Sequence, residues 1–242
     1  KEKKIILDNT IKPEKIIEKV KPIPIELPQL AIDITESVLI EDNTSYADAI
    51  ANCSELNFSW VRQYAANYIY GVSTSLRDRG ESPLKNKNEL NQYIYSYGYM
   101  HFAKMKYAIN RLSWKLSNMD LDIVDWGCGQ GIGSLSIIEA LKDRDLLKWL
   151  KKVTLIEPSE ASLNRAKSNV IRATNGSIII DDINKFLPGY PDKSQTLVGL
   201  SYSYKNVIHI FSNILDVDGI DLGEVAQKLV TSGNNHYILC IG

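Results

Sequence analysis

Cysteine and histidine are scarce here, three of each in 242 residues. Cys53, Cys128 and Cys240 form an odd set without repeated spacing, which reads as free thiols in a reducing compartment, not a disulfide framework. His101, His209 and His236 lie too far apart for zinc-ligand spacing, so no metal is expected. A surplus of charge is also lacking. The formal net charge of -1 gives no global attraction to nucleic acid or to an anionic membrane. No apolar run is long enough to span a bilayer, and no charged n-region with an apolar h-region marks a signal peptide. No internal repeat appears at a solenoid period. These absences make a soluble cytoplasmic protein without a membrane partner the default. With 44% hydrophobic and 24% charged residues, the chain can build a packed core. Its length suits one large domain, or a medium one with an appended module.

Three regions follow along the chain. Residues 1–40 are rich in lysine, isoleucine and proline. Pro13, Pro22, Pro24 and Pro28 exclude a long helix there, because each lacks an N–H and restricts its predecessor. An extended arm or linker is expected. Residues 41–118 turn helical, with the pattern from Ser45 to Asp78 reading as helix and Gly80 as its stop. Phe102, Met105, Ile109, Leu112 and Leu116 then fall on one helical face and read as core packing. Tyrosines are dense in this region, at Tyr64, Tyr68 and Tyr70 and again at Tyr93, Tyr95, Tyr97 and Tyr99. They suit either helix packing or the wall of a binding site. Residues 119–242 alternate short apolar runs with helical patterns: "LDIVDW", "KVTLIE", "GSIIID", "NVIHIFSNIL" and "HYILCI" as strands. Such alternation predicts an α/β fold with a mostly parallel, doubly wound, Rossmann-like sheet preceded by a helical segment.

The densest signal is "IVDWGCGQGIGS", Ile123 to Ser134. Glycine costs roughly 0.5–1 kcal/mol against alanine inside a regular element, so a cluster of four implies a sharp turn or a close approach. In an open parallel sheet, ligands bind beyond the carboxyl ends of the strands, and the first strand's turn supplies close backbone contact. The dinucleotide pattern G-x-G-x-x-G fits poorly, since one frame ends on Ile132 and the other on Ser134. Asp-x-Gly-x-Gly-x-Gly, from Asp125 to Gly131, fits fully. A carboxylate at the turn suits a ligand carrying positive charge better than a pyrophosphate.

"IVDWGCGQG" resembles motif I of the class I S-adenosylmethionine-dependent methyltransferases, an acidic residue followed by G-x-G-x-G. "VTLIEPSEASLNRAK" resembles that family's second motif, and "IIIDDINKFLP" its third. "NVIHIFSNIL" resembles its fourth strand and loop. The resemblance covers the chain from Leu121 to Gly242 and not the part before it. It implies S-adenosylmethionine as cofactor, held by Asp125, Gly127, Cys128, Gly129, Gly131, Glu157, Pro158, Asp182 and Ile183. Within that set, Glu157 takes the ribose hydroxyls, Asp182 (with Asp181 competing) the adenine amino group, and Ile183 the ring. Ser159 is a natural helix N-cap.

The resemblance has gaps. Class I methyltransferases normally add two strands as an antiparallel hairpin after the fifth, and this sequence stops at the fifth. The domain is therefore expected to be incomplete at its C-terminus, with a bare sheet edge. The Asp/Asn-Pro-Pro-aromatic signature of amino-group methylation on bases is absent, and so is a Pro-Cys nucleophile. The acceptor stays open among small molecules, RNA and protein, with nucleic acid unsupported by net charge. Ser212, Asn213, His101 and Tyr97 are the candidates for the catalytic side. A non-catalytic cofactor-binding or scaffold domain is the alternative, and a nicotinamide enzyme a third reading. The helical segment around Tyr93–Tyr107 is expected to form a lid or wall over the donor site.

Overall fold

In the computed structural model the described residues are 46–71, 82–112, 119–191, 200, 202, 204, 206–215, 217–230 and 234–242. The arm at 1–40, Gly80 and Leu116 lie outside them.

Five strands form one sheet: β1 (Leu121–Trp126), β2 (Leu150–Ile156), β3 (Ile179–Ile183), β4 (Asn206–Ser212) and β5 (Asn235–Ile241). Their order is β3-β2-β1-β4-β5 and every pairing is parallel. β1 is buried along its whole length because it is central and covered on both faces. It runs to Trp126, the full length of the "LDIVDW" pattern.

Side-chain alternation divides the core in two. Leu121, Ile123, Leu155, Ile208 and Ile210 face one way, against α5 (Ile132–Lys142) and α6 (Glu160–Ala173). Val124, Trp126, Ile156, Val207 and Phe211 face the other, toward Val225 and Leu229 of α7 (Leu222–Val230). The chain is a doubly wound α/β protein. Asp42–Gly242 forms one compact unit.

The helical segment differs in detail from its sequence pattern. It holds α1 (Tyr46–Ala51) and α2 (Phe58–Asn67) rather than one long helix. Asn57 starts the second by accepting a hydrogen bond from Trp60 N, and Phe58 N donates to Glu139 Oε1 of α5 at 2.6 Å. A longer helix then runs from Lys87 to Ile109: α3 (Lys87–Tyr93), a π-helical turn over Ile94–Gly98, and α4 (Tyr99–Ile109). A Cβ on Gly98 would sit 3.3 Å from the Phe58 ring, so this turn presses directly on α2. Met105 and Ile109 are fully buried and Phe102 and Leu112 pack beside them, which makes the apolar stripe core as its spacing predicted. Among the described residues, no helix is long and apolar enough to cross a membrane.

Candidate functional site

The chain runs outward from β1 in both directions, so the crevice opens at the carboxyl ends of β1 and β4. A cavity of about 550 Å³ lies there. Its floor is Gly127, Gly129, Gln130, Glu157 and Pro158, and Ser212 and Asn213 at the tip of β4 form another side. Tyr93, Tyr97, Met100, His101 and Lys104 of the long helix form the facing wall.

The glycine turn is built for this position. Gly127, Gly129 and Gly131 all have positive φ, 62°, 53° and 78°, in the left-handed region where a side chain costs roughly 1–2 kcal/mol. Their surroundings differ. A Cβ on Gly129 would meet nothing within 4 Å, because it would point into the open cavity. On Gly131 it would sit 3.1 Å from Ala166 Cβ and 3.2 Å from Ala166 Cα, so Gly131 serves the packing of α5 on α6.

Glu157 follows the last residue of β2, and its side chain is locked on both oxygens. Oε2 accepts from Gly129 N at 3.0 Å and Oε1 from Ser159 N at 2.9 Å. Burial raises its carboxyl to about 7, against the pull of those two amides. A carboxylate so placed can accept from ligand hydroxyls. Ser159 caps α6 by accepting from Ser162 N at 3.1 Å. Asn184 Nδ2, donating to the Glu157 and Pro158 carbonyls at 3.0 Å each, ties the end of β3 to this loop.

On the helical wall, burial and the nearby Lys104 charge lower His101 to about 4, so its imidazole is neutral at pH 7. It meets Tyr93 edge-on at 5.8 Å. Burial first, then Glu157, pushes the Tyr93 phenol well above its usual range, so it stays protonated. Lys104 Nζ donates to the Gly242 backbone oxygen at 2.8 Å and to Asn213 Oδ1 at 3.4 Å. Asn213 has φ 53°, in the left-handed region that asparagine tolerates better than most non-glycine residues, as do Asp145 and Asn175 elsewhere.

No family model and no curated protein matches the chain. Among solved structures it is similar to a SAM-dependent methyltransferase from Leishmania major, at 12% identity and a TM-score of 0.37, over 75% of this chain and 58% of that one. It is similar to geranyl diphosphate C-methyltransferase from Streptomyces coelicolor at 13% and 0.37, over 78% of this chain and 60% of that one. For magnesium protoporphyrin IX methyltransferase from Synechocystis the values are 16% and 0.31, over 67% and 65%. The chain thus spans 58–65% of the length of these three. Likeness this weak assigns neither cofactor nor reaction.

The cavity brings together Gly127, Gly129, Glu157, Pro158, Tyr93, Tyr97, His101, Ser212 and Asn213 from the residues singled out in the sequence. The others lie off its wall. Asp125 does not line it: its Oδ2 accepts from Ser134 N at 2.9 Å and Ser134 Oγ at 2.7 Å, anchoring the first turn of α5. Its Oδ1 is buried without a hydrogen-bond partner, and burial raises the carboxyl to about 6. Cys128 packs in the core, where burial raises its thiol. Trp126 is core as well, donating to His209 Nδ1 at 3.0 Å. Asp182 pairs with Lys167 at 2.7 Å and Asp181 with Lys152 at 2.6 Å, and neither they nor Ile183 line the cavity. Phe186, Leu187 and Tyr190 occupy that side instead.

Sequence reasoning missed Gln130 and Lys104. Gln130 sits inside the glycine motif at a position the pattern leaves free. Its Nε2 donates to Leu90 O and its Oε1 accepts from the buried Arg165, so it fastens the turn to α3 and α6. Lys104 stands three residues after His101 and seven after Tyr97, a spacing that could have placed it on their face.

Proposed function

We propose that this protein binds S-adenosylmethionine and transfers its methyl group to an acceptor admitted to the same cavity. The observation that carries the reading is Glu157, a carboxylate at the tip of β2 that fixes the amide of Gly129 beside open space. A ribose fits that arrangement: two adjacent hydroxyls can donate to one carboxylate, and glycine leaves the backbone uncovered for close approach. A dinucleotide fits less well, because the glycine frame offers no full G-x-G-x-x-G.

Gly127, Gly129, Glu157 and Pro158 would hold the cofactor, and Asp125 would act from behind by fixing the first turn of α5. When bound, the cofactor supplies an electrophilic methyl on a sulfonium. Transfer of such a methyl needs alignment and, for a protonated nucleophile, a base. His101 lines the cavity as a neutral imidazole, a weak base because burial and Lys104 lower its pKa to about 4, so it takes the acceptor's proton only as the new methyl bond forms. Ser212 and Asn213 orient the acceptor from the tip of β4, and Tyr93, Tyr97 and Met100 exclude water.

The test is transfer of a labelled methyl group from S-adenosylmethionine to the components of a cell extract. Label incorporated by the wild type and not by Gly129→Val supports the reading. If S-adenosylhomocysteine binds but no label moves to any fraction, the protein is a non-catalytic cofactor-binding module.

A further inference from the structure

The outer face of the long helix carries a pattern that the cofactor site does not use. Tyr93, Tyr97, His101 and Lys104 line the cavity, while Tyr95 and Tyr99 are 46% and 64% exposed. The Arg62 guanidinium of α2 lies 5.4 Å from the Tyr95 ring centre and 5.8 Å from that of Tyr99. Further along, Tyr107 is 63% exposed with the Arg111 guanidinium 3.4 Å from its ring centre, and Lys106 is its neighbour in sequence. From Tyr95 to Tyr107 the helix advances about 18 Å at the usual rise per residue. Met100 is 44% exposed and also lines the cavity, so the stripe passes the cavity mouth.

Charge is distributed to match. The whole chain carries a formal net charge of -1. Among the described residues of 58–112, however, Arg62, Lys85, Lys87, Lys104, Lys106 and Arg111 stand against Glu89 as the only acidic side chain. Neither Arg62 nor Arg111 is ion-paired among the described residues, and Arg62 Nε is buried without a hydrogen-bond partner. Exposed tyrosine rings beside guanidinium groups that form no ion pair among the described residues, Arg111 donating only to the Tyr107 carbonyl, are the equipment for stacking bases and neutralising phosphates together. An acidic peptide would use the cations but not the rings. An anionic bilayer would favour several large aliphatic side chains that insert, and along this stripe Met100 is the only exposed large apolar side chain besides the tyrosines among the described residues.

We propose that the Tyr95–Tyr99–Tyr107 stripe, with Arg62, Lys106 and Arg111, binds single-stranded nucleic acid and presents one nucleotide to the cavity. Naming that nucleotide as methyl acceptor rests on the methyl-transfer reading above, whereas binding along the stripe does not. Three cations meeting three phosphates give a slope of about -2 for log affinity against log salt.

The experiment is fluorescence anisotropy on the full chain saturated with S-adenosylhomocysteine. The probes are fluorescein-labelled oligouridine and oligodeoxyuridine, which differ only in the sugar, each about 12 nucleotides long, within the site sizes of single-strand binders. Tyr99→Ala is expected to weaken binding about tenfold and Tyr99→Phe less than about twofold, because stacking needs the ring and not the hydroxyl. Lys106→Gln and Arg111→Gln are each expected to flatten the salt slope by about 0.7. S-adenosylhomocysteine affinity, titrated separately, should be unchanged in all these variants, which also shows that they fold. Tighter binding of one probe identifies the sugar. The proposal is overturned if neither probe binds, if Tyr99→Ala binds like wild type, or if poly-glutamate displaces the probe as well as unlabelled oligouridine does. Oligonucleotide binding without S-adenosylhomocysteine binding would sink the methyl-transfer reading and leave the stripe standing.

Discussion

Replacing Glu157 by glutamine keeps its shape and removes its charge, which separates its two tasks. In the wild type both oxygens accept backbone amides, from Gly129 and Ser159. Glutamine offers one acceptor and one donor group, so one of those buried amides loses its partner at a cost of about 1–3 kcal/mol. Affinity falls for a further reason. Hydrogen bonds to a charged acceptor are worth roughly 1.5–3 kcal/mol, so S-adenosylhomocysteine should bind about tenfold to a hundredfold more weakly. The pH dependence gives a second signature. The Glu157 carboxyl is raised in the fold from 4.5 to about 7. Its contribution to stability is therefore fully present below pH 4.5 and is lost as pH rises through about 7. The loss amounts to about 3 kcal/mol at most. Asp125, raised from 3.8 to about 6, adds to the same fall at slightly lower pH. Denaturant melts from pH 4 to pH 8 should show a shallower decline in Glu157→Gln than in wild type. Because ligand hydroxyls favour the ionised carboxylate, binding near pH 6 should release a proton, read as a buffer-dependent enthalpy. A loss of affinity under twofold together with a parallel pH profile would refute this reasoning.

Gly129→Val and Gly131→Ala should behave as opposites. Valine at 129 projects into open cavity, so binding is lost while stability falls by about 1–2 kcal/mol, the cost of the left-handed backbone. Alanine at 131 meets Ala166 at 3.1 Å, and unfolding free energy should drop by about 2–4 kcal/mol in denaturant melts. Ser159→Ala removes the N-cap of α6 and the hydroxyl's hydrogen bond to Leu84 O, costing about 1 kcal/mol or slightly more in the same assay. His101→Asn should slow transfer to a protonated acceptor by about a hundredfold in a steady-state assay and leave S-adenosylhomocysteine affinity intact.

The central strands were legible because parallel strands covered on both faces read as largely apolar runs, interrupted in "LDIVDW" only by Asp122 and Asp125. The pairing of the glycine turn with Glu157 was legible too, because both lie immediately beyond adjacent strands. What failed to show depends on contacts distant in sequence. Nothing in the local pattern shows that Asp182 pairs with Lys167 from α6, or that Asp125 accepts from Ser134 at the start of α5. The π-helical turn that sets Tyr93 and Tyr97 on the cavity wall involves Gly98 pressing on Phe58, forty residues earlier, which no local pattern contains. The break before α2 did leave a signal, the capping Asn57, outweighed by the helical spacing around it.

Calorimetric titration of the full chain with S-adenosylhomocysteine, and in parallel with NAD, tests the central claim most directly. Glu157 fixing the Gly129 amide beside open cavity predicts one saturable site for S-adenosylhomocysteine, lost in Gly129→Val, and no heat with NAD. Saturable NAD binding with silence from S-adenosylhomocysteine would contradict the account, and so would silence from both.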